Sequence, residues 1–280
     1  MSTGTTEHIP EDLRRAAAGH VGRQRESEDM LAPEAAEKLA VLLGADVPQE
    51  YLPPTWHWVY FNRPVAFADQ GSDLHERLGR FLPAVPLQRR MWAAGEVSVL
   101  QALQIGVPAR RVSTIRAVDF KEGATGTLCF VTVTHEIEQE GAPCISEVQT
   151  IVYRDRGPPE PGLRAPGDPV PEGYVTYPDS QLFFYSAVTH NGHRIHWDRD
   201  FCRGVEGYPD LVVHGPMMAT ELCDAMRDGP GPLRFAYRAQ APVFVTTPVR
   251  IHLGVPGRER RGQIERSDGV VSMTAVLTRL

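Results

Sequence analysis

A run of prolines and glycines near the middle of the chain restricts the fold more than any other feature. From Arg154 to Gly173 the sequence reads RDRGPPEPGLRAPGDPVPEG. Proline has no backbone donor and fits neither a helix interior nor a central strand, so we expect an irregular linker here. The sequence therefore predicts an N-terminal module at residues 1–155, a linker at 156–173 and a C-terminal module at 174–280.

Each predicted module opens with one helix. In the first module, LAPEAAEKLAVLLG predicts a helix over Leu31–Gly44, because Pro33 suits the first helical position and glycine suits the position after the last turn. In the second module, a helix is predicted over Pro216–Asp228. Apolar residues recur at helical spacing on one face of both segments, so each helix is expected to pack on a core.

Strand patterns follow both helices. Thr127–Ile137 and Ile145–Tyr153 are rich in β-branched and aromatic residues, and Glu140-Gly141 between them predicts an antiparallel hairpin. The strand pattern of the second module is weaker, and Pro248 predicts an edge strand or a bulge there. One helix with several antiparallel strands, repeated once, indicates an α+β fold.

The composition is typical of a soluble globular protein. Apolar residues make up 42% and charged residues 23% of the chain, and the net charge is −6. No basic stripe predicts nucleic-acid binding, and no apolar run predicts a membrane span. The N-terminus lacks the apolar stretch of a signal peptide and the four cysteines show no C-x-x-C spacing. We therefore expect a cytoplasmic protein with reduced cysteines.

Four of the ten histidines lie between Ser186 and Met226, which makes this segment the candidate site. Metal binding is one interpretation, because His193 and His196 form an H-x-x-H pair. No helix is predicted around that pair, and no glutamate occupies the position typical of zinc proteases, so we expect no metal site. Acid–base catalysis is the other interpretation.

Addition of water to an enoyl thioester illustrates what such a cluster could catalyse. The reaction needs a base for the water, an acid for the carbon next to the carbonyl, and donors for the developing enolate oxygen. His196 suits the base, because the unperturbed pKa of histidine lies near neutrality. Asn191 suits the binding of the water. Gly215 begins the second predicted helix, and its free amide suits the thioester carbonyl.

The same segment resembles the hydratase motif of the MaoC-like dehydratases and R-specific enoyl-CoA hydratases, commonly G-D-x-N-P-x-H. Here the matching stretch is HNGHRIH. The histidine of the motif falls on His196, its catalytic aspartate on Asn191 and its asparagine on His193. An amide cannot act as a base, so the resemblance does not carry over a mechanism with two ionisable partners.

The more specific resemblance is to the hydroxyacyl-thioester dehydratases of mitochondrial type, together with mesaconyl-C4-CoA and itaconyl-CoA hydratases. Their pattern matches NGHRIHWD and EGYPDLVVHGP here, and PTWHWVYF and FLPAVPLQRRMWAAGEV match their N-terminal part. This resemblance covers most of the chain. It implies a double hotdog, in which each of two modules is a curved antiparallel sheet wrapped around a central helix.

The resemblance also implies a hydro-lyase acting on an enoyl or 3-hydroxyacyl thioester. We expect a short-chain acyl-CoA, with mesaconyl-C4-CoA and itaconyl-CoA as the preferred dicarboxylic examples. The alternatives are a fatty-acyl 3-hydroxyacyl-thioester dehydratase, a hotdog thioesterase and a non-catalytic binder of acyl thioesters. No cofactor is expected beyond the CoA of the substrate, and a homodimer is expected. The residues predicted to bind substrate are His193, Arg194, His214, Arg89, Arg90 and Trp58.

Overall fold

The computed structural model describes residues 9–123, 126–155 and 168–280. Most of the predicted linker, at residues 156–167, lies outside the described residues. The described residues form one antiparallel sheet of nine strands with helices packed against it.

The first module contains two helices and five strands. Two 3-10 turns, at Trp56–Val59 and Phe67–Asp69, lie between the helices and the long strands. The elements are α1 (Glu11–Ala18), β1 (Gln24–Asp29), α2 (Pro33–Leu43), β2 (Arg89–Val99), β3 (Ala109–Gly123), β4 (Gly126–Gln139) and β5 (Ala142–Arg154).

The second module contains three helices and four strands. A 3-10 turn at Arg194–His196 and a π-helical turn at Cys202–Glu206 flank its shortest helix. The elements are α3 (Asp179–Val188), α4 (Arg199–Phe201), α5 (Gly215–Met226), β6 (Leu233–Ala239), β7 (Val249–Leu253), β8 (Glu259–Arg266) and β9 (Val271–Arg279).

The two predicted helices lie within a residue or two of their expected bounds. Pro33 begins α2, and Gly44 caps it in the left-handed conformation with φ 64°. The helix α5 is almost completely buried and packs across β8 and β9. Gly262 on β8 permits this close packing, because a Cβ atom there would lie 2.7 Å from Met226 Sδ. The helix α2 packs mainly against α3 and the Trp56–Val59 turn.

The predicted hairpin is confirmed. Glu140 and Gly141 both have positive φ angles, at 51° and 80°, and form the two-residue connection between β4 and β5. Pro248 directly precedes β7, which is an edge strand of the sheet, so its missing N–H is tolerated there. Among the described residues, no helix is both long and apolar enough to cross a membrane.

A single strand pairing joins the two modules into one sheet. The strand order is β1-β3-β4-β5-β2-β6-β9-β8-β7, so β2 pairs with β5 on one side and with β6 of the second module on the other. Gly95 lies opposite Tyr237 at this junction. A Cβ atom at position 95 would lie 2.1 Å from Tyr237 Oη and 2.6 Å from the Val148 carbonyl oxygen. Only glycine fits here.

We expect Gly95→Ala to lower the free energy of unfolding by about 1–3 kcal/mol, because the added methyl overpacks the junction. Urea unfolding measures this change. Gly257→Ala is the matched control, since the atom nearest to its new Cβ is the Glu259 carbonyl oxygen at 3.6 Å. Equal stabilities of the two variants would show that the junction has room that the structure does not indicate.

Candidate active site

A cavity of about 270 Å³ lies between the sheet of the first module and the histidine-rich segment of the second. The second module contributes Asn191, the end of α3 and Pro216 at the start of α5. The residues that line the cavity from the first module are Trp58, Asn62, His75, Trp92, Arg111, His135, Glu147 and Gln149. The site therefore requires both modules and the junction that holds them together.

The loop after α3 is shaped by local hydrogen bonds. His190 takes a left-handed conformation with φ 50°, and the Asn191 N–H donates to the Ser186 carbonyl oxygen at 2.8 Å. Asn191 Oδ1 then accepts from the His193 N–H at 3.0 Å, an Asx turn. A Cβ atom at position 192 would lie only 3.1 Å from the Leu74 carbonyl oxygen, so Gly192 allows the loop to approach the first module closely. The loop is thus held against the first module.

His196 is buried at the end of the Arg194–His196 turn, with 7% of its surface exposed. Its Nδ1 lies 2.7 Å from the carbonyl oxygen of Val212. Because a carbonyl oxygen can only accept, Nδ1 carries the hydrogen and Nε2 carries the lone pair. This bond gives His196 the tautomer that a general base needs.

Burial also keeps His196 neutral. Loss of solvation lowers its pKa to about 4, although the bond to Val212 opposes this change. Its ring stacks on His214, with centroids 3.6 Å apart and an interplanar angle of 18°. His214 is completely buried, and burial lowers its pKa well below the usual range. Stacking of two neutral imidazoles avoids the repulsion that two charged rings would suffer.

His214 connects His196 to α3 and α5. It is the N-cap residue of α5, and its Nε2 lies 2.9 Å from Ser186 Oγ. The next residue, Gly215, begins the helix, where the first amides have no partner within the helix itself. A Cβ atom at Gly215 would lie 2.7 Å from the Trp92 ring, so glycine is required for the packing between α5 and the first module.

His193 lies between two other histidines. Its ring centroid is 5.6 Å from that of His196 and 5.0 Å from that of His75 in the first module. Asp73 Oδ2 lies 3.4 Å from His75 Nδ1 and 3.1 Å from Arg90 Nη2. Burial lowers the pKa of both His193 and His75, so this edge of the site is neutral apart from the Asp73–Arg90 ion pair.

The predicted site residues fall into two groups. The structure brings together His196, Asn191, Gly215, His193 and His214, and Trp58 lines the cavity next to them.

Arg194 and Arg89 lie elsewhere. Arg194 pairs with Asp198 at 2.7 Å and stacks over a phenylalanine ring, and Arg89 is buried against Glu206 and Tyr208. This geometry does not support a role for either arginine in binding substrate.

Sequence reasoning missed much of the wall formed by the first module. His135 lies within the predicted strand Thr127–Ile137, and the structure places it in the wall of the cavity. Glu147 accepts hydrogen bonds from His57 Nε2 and Trp58 Nε1, both at 3.0 Å. Burial acts to raise the pKa of Glu147, but the hydrogen bonds from His57 and Trp58 and the interactions with the His57 and His135 charges together outweigh it, and the pKa falls to about 2. Period-two alternation along β3, β4 and β5 was the available signal, because it places Arg111, His135 and Glu147 on the inner face.

Within the described ranges, no three histidine, cysteine or acidic side chains are placed to bind one metal ion. All four cysteines are free and buried. The prediction that the site needs no metal stays a prediction.

Comparison with solved structures identifies the fold. The HtdX protein of Mycobacterium tuberculosis superposes with a TM-score of 0.68 at 15% identity, over 92% of this chain and 100% of that one. A second Mycobacterium tuberculosis protein, described as having a double hotdog fold, superposes with a TM-score of 0.57 at 10% identity, over 93% of this chain and 96% of that one. The predicted double hotdog is confirmed.

Sequence comparison identifies the family. The chain matches the family model of the hydroxyacyl-thioester dehydratases of type 2 over residues 55–245. It is also 38% identical over 268 residues to the mesaconyl-C4-CoA hydratase of Chloroflexus aurantiacus, covering 92% of this chain and 95% of that one.

The fold and the site define a double hotdog hydro-lyase, an enzyme that adds water to acyl thioesters or removes it. More particularly, the chain belongs to the hydroxyacyl-thioester dehydratase type 2 family.

Proposed function

We propose that the chain hydrates the carbon–carbon double bond of a short enoyl-CoA of the mesaconyl or itaconyl type, or catalyses the reverse reaction. The observation that carries the proposal is that His196, neutral and with its lone pair on Nε2, contacts the ring of His193, which in turn contacts His75 in the wall of a small cavity. Its 270 Å³ is below the roughly 300–1,000 Å³ of pockets for drug-sized ligands, which suits an acyl group of few carbons. The named activity of the Chloroflexus relative supports the same substrate class.

In the proposed mechanism His196 Nε2 takes a proton from a water molecule that Asn191 orients. The water oxygen forms a bond to the β-carbon of the enoyl group, and the electron pair of the double bond moves onto the thioester as an enolate. The Gly215 amide stabilises the enolate oxygen, since helix N-termini favour negative charge. His196 then returns its proton to the α-carbon, so that one water molecule has been added.

The alternatives fit the cavity less well. A fatty-acyl chain needs an apolar channel, whereas ionisable or amide side chains make up much of this wall. A hotdog thioesterase needs a group that activates water at the carbonyl carbon. Asn191 cannot do so, because a neutral amide has no basic lone pair to accept the proton.

Four further expectations accompany this proposal. No metal or organic cofactor takes part, because side chains can supply the acid–base chemistry. CoA rather than a carrier protein holds the acyl group, and the enzyme acts in the cytoplasm. Two chains form a homodimer, which light scattering after gel filtration can test. The charged sequence QRESED of edge strand β1 disfavours pairing at that edge.

A panel of enoyl-CoA substrates tests the reaction, since hydration abolishes the ultraviolet absorbance of the conjugated thioester. We expect His196→Ala to lower kcat for the best substrate by about 10²–10⁴-fold, the usual contribution of a positioned acid–base group. KM should change much less, because the lost interaction belongs to the transition state. His252→Ala is the matched control, as this histidine lies on edge strand β7. Near-normal turnover by His196→Ala would refute the assignment of the base.

Substitution of Asn191 by aspartate separates two roles for this residue. Aspartate can keep the Asx turn, because a carboxylate still accepts from the His193 N–H. If Asn191 only accepts a hydrogen from the water, Asn191→Asp should retain kcat within about tenfold. If its amide N–H donates to substrate or water, the carboxylate cannot replace it and kcat should fall by about 10²-fold or more. We expect the second result, and measured steady-state kinetics of the variant decide between the two.

A further inference from the structure

Two adjacent arginines on β3 face opposite sides of the sheet. Arg110 lies on the outer face, where its guanidinium pairs with Glu26 at 2.7 Å and with Glu138 at 3.0 Å. Arg111 points to the inner face and lines the cavity of the active site. The two side chains therefore have the same chemistry but different surroundings, because successive residues of a strand alternate between faces.

The guanidinium of Arg111 has hydrogen-bonding capacity to spare. Nη2 donates to the Phe61 carbonyl oxygen at 3.2 Å, and the group packs over the Phe61 ring at 4.9 Å. Nε is buried and has no hydrogen-bond partner in the part of the chain that the structure describes. In the same part of the chain, no carboxylate lies within 4.0 Å of this guanidinium.

A partly buried charge of this kind is costly unless a counter-ion is bound. Burial lowers the pKa of Arg111, and the negative charge of Glu147 only partly offsets this effect. Both carboxylate oxygens of Glu147 already accept hydrogen bonds, one from His57 and one from Trp58. Glu147 thus balances charge at a distance and leaves the donors of Arg111 available.

A second donor lies in the same wall. Gln149 Oε1 is 3.2 Å from His135 Nε2, and Ser113 Oγ is 2.8 Å from His135 Nδ1. Since the amide oxygen can only accept, His135 Nε2 carries the hydrogen, and Ser113 donates to Nδ1. This arrangement orients the amide oxygen of Gln149 toward His135, and its NH₂ group remains to donate.

We infer that Arg111 binds a carboxylate at the far end of the acyl group, with Gln149 as a second donor, and so selects dicarboxylic over monocarboxylic acyl-CoA. This inference rests on the proposed function, because it needs the acyl group to occupy this cavity. A guanidinium holds a carboxylate through two parallel N–H···O bonds, and buried pairs of this kind discriminate strongly against a methyl group. Arg111 is thus a specificity-determining residue at the opposite wall from Asn191.

Two CoA thioesters with four-carbon saturated acyl groups test the inference without turnover, because neither has a double bond that the enzyme could hydrate. Succinyl-CoA carries the distal carboxylate, and butyryl-CoA carries a methyl group in its place. We expect calorimetry to show that the protein prefers succinyl-CoA, and that Arg111→Met weakens this binding by roughly 10–100-fold. Butyryl-CoA should change by less than about threefold. Arg110→Met is the matched control and should preserve the preference, because exposed ion pairs contribute little.

Turnover separates failure of the inference from failure of the proposed reaction. Circular dichroism and urea unfolding show whether Arg111→Met folds, and hydration of crotonyl-CoA by the wild-type protein tests the reaction itself on a substrate that has no distal carboxylate. Arg111→Lys should recover part of the succinyl-CoA preference, since lysine keeps the positive charge but lacks the paired N–H donors of the guanidinium. Equal loss of both ligands in Arg111→Met, or no preference in the wild type, would overturn the inference. If the wild-type protein prefers succinyl-CoA to butyryl-CoA but hydrates no enoyl-CoA, the proposed hydratase reaction is wrong while the inference about Arg111 stands.

Discussion

The pairing of β2 with β6 is the interaction on which the rest of the structure depends. It converts two modules into one antiparallel sheet, and it places the inner face of β3, β4 and β5 opposite the histidine-rich loop and α5. Gly95 at the junction lets Tyr237 lie flat on Trp92, with ring centroids 4.2 Å apart. Trp92 in turn packs against Gly215 at the start of α5. The junction between the modules and the start of α5 therefore pack continuously against each other through Trp92.

Burial, rather than a neighbouring charge, is the main factor that keeps the histidines of the candidate site uncharged. His196, His193 and His214 all have pKa values lowered mainly by loss of solvation, so His196 is neutral without a partner carboxylate. In the proposed mechanism a neutral His196 needs no partner carboxylate, which is compatible with asparagine at position 191. The Val212 carbonyl fixes the tautomer of His196. The part of the cavity wall that the first module contributes is charged instead of neutral, since it contains Arg111 and Glu147.

Local sequence pattern brings together the second module's residues of the candidate site but not those of the first module. His196, Asn191 and Gly215 belong to motifs that are nearly continuous along the chain, so local pattern was enough to bring them together. His75, Arg111 and Glu147 belong to no motif, and only long-range strand pairing brings them to the cavity. Period-two alternation puts neighbouring arginines on opposite faces of a strand, and the apolar residues that share a face indicate which face is inner. Only the strand pairing brings that inner face to the cavity.

The two neighbouring arginines at the start of β2 also show that sequence alone does not tell which of them lies near the site. Arg89 and Arg90 are neighbours, and both were predicted to bind substrate. Arg90 reaches Asp73 beside the site, whereas Arg89 is buried over the Tyr208 ring. The fold class was predictable, because the Glu140-Gly141 turn and the cap of α2 are local features with few alternatives.

The protonation state of His196 tests the central claim most directly. Nitrogen NMR of the protein labelled at histidine, with the His196 signals assigned by their loss in His196→Ala, reports each ring nitrogen separately. The account predicts hydrogen on Nδ1 and none on Nε2 at neutral pH, and no protonation until the pH approaches about 4. Hydrogen on Nε2, or titration near the ordinary histidine pKa of about 6.5, would contradict it.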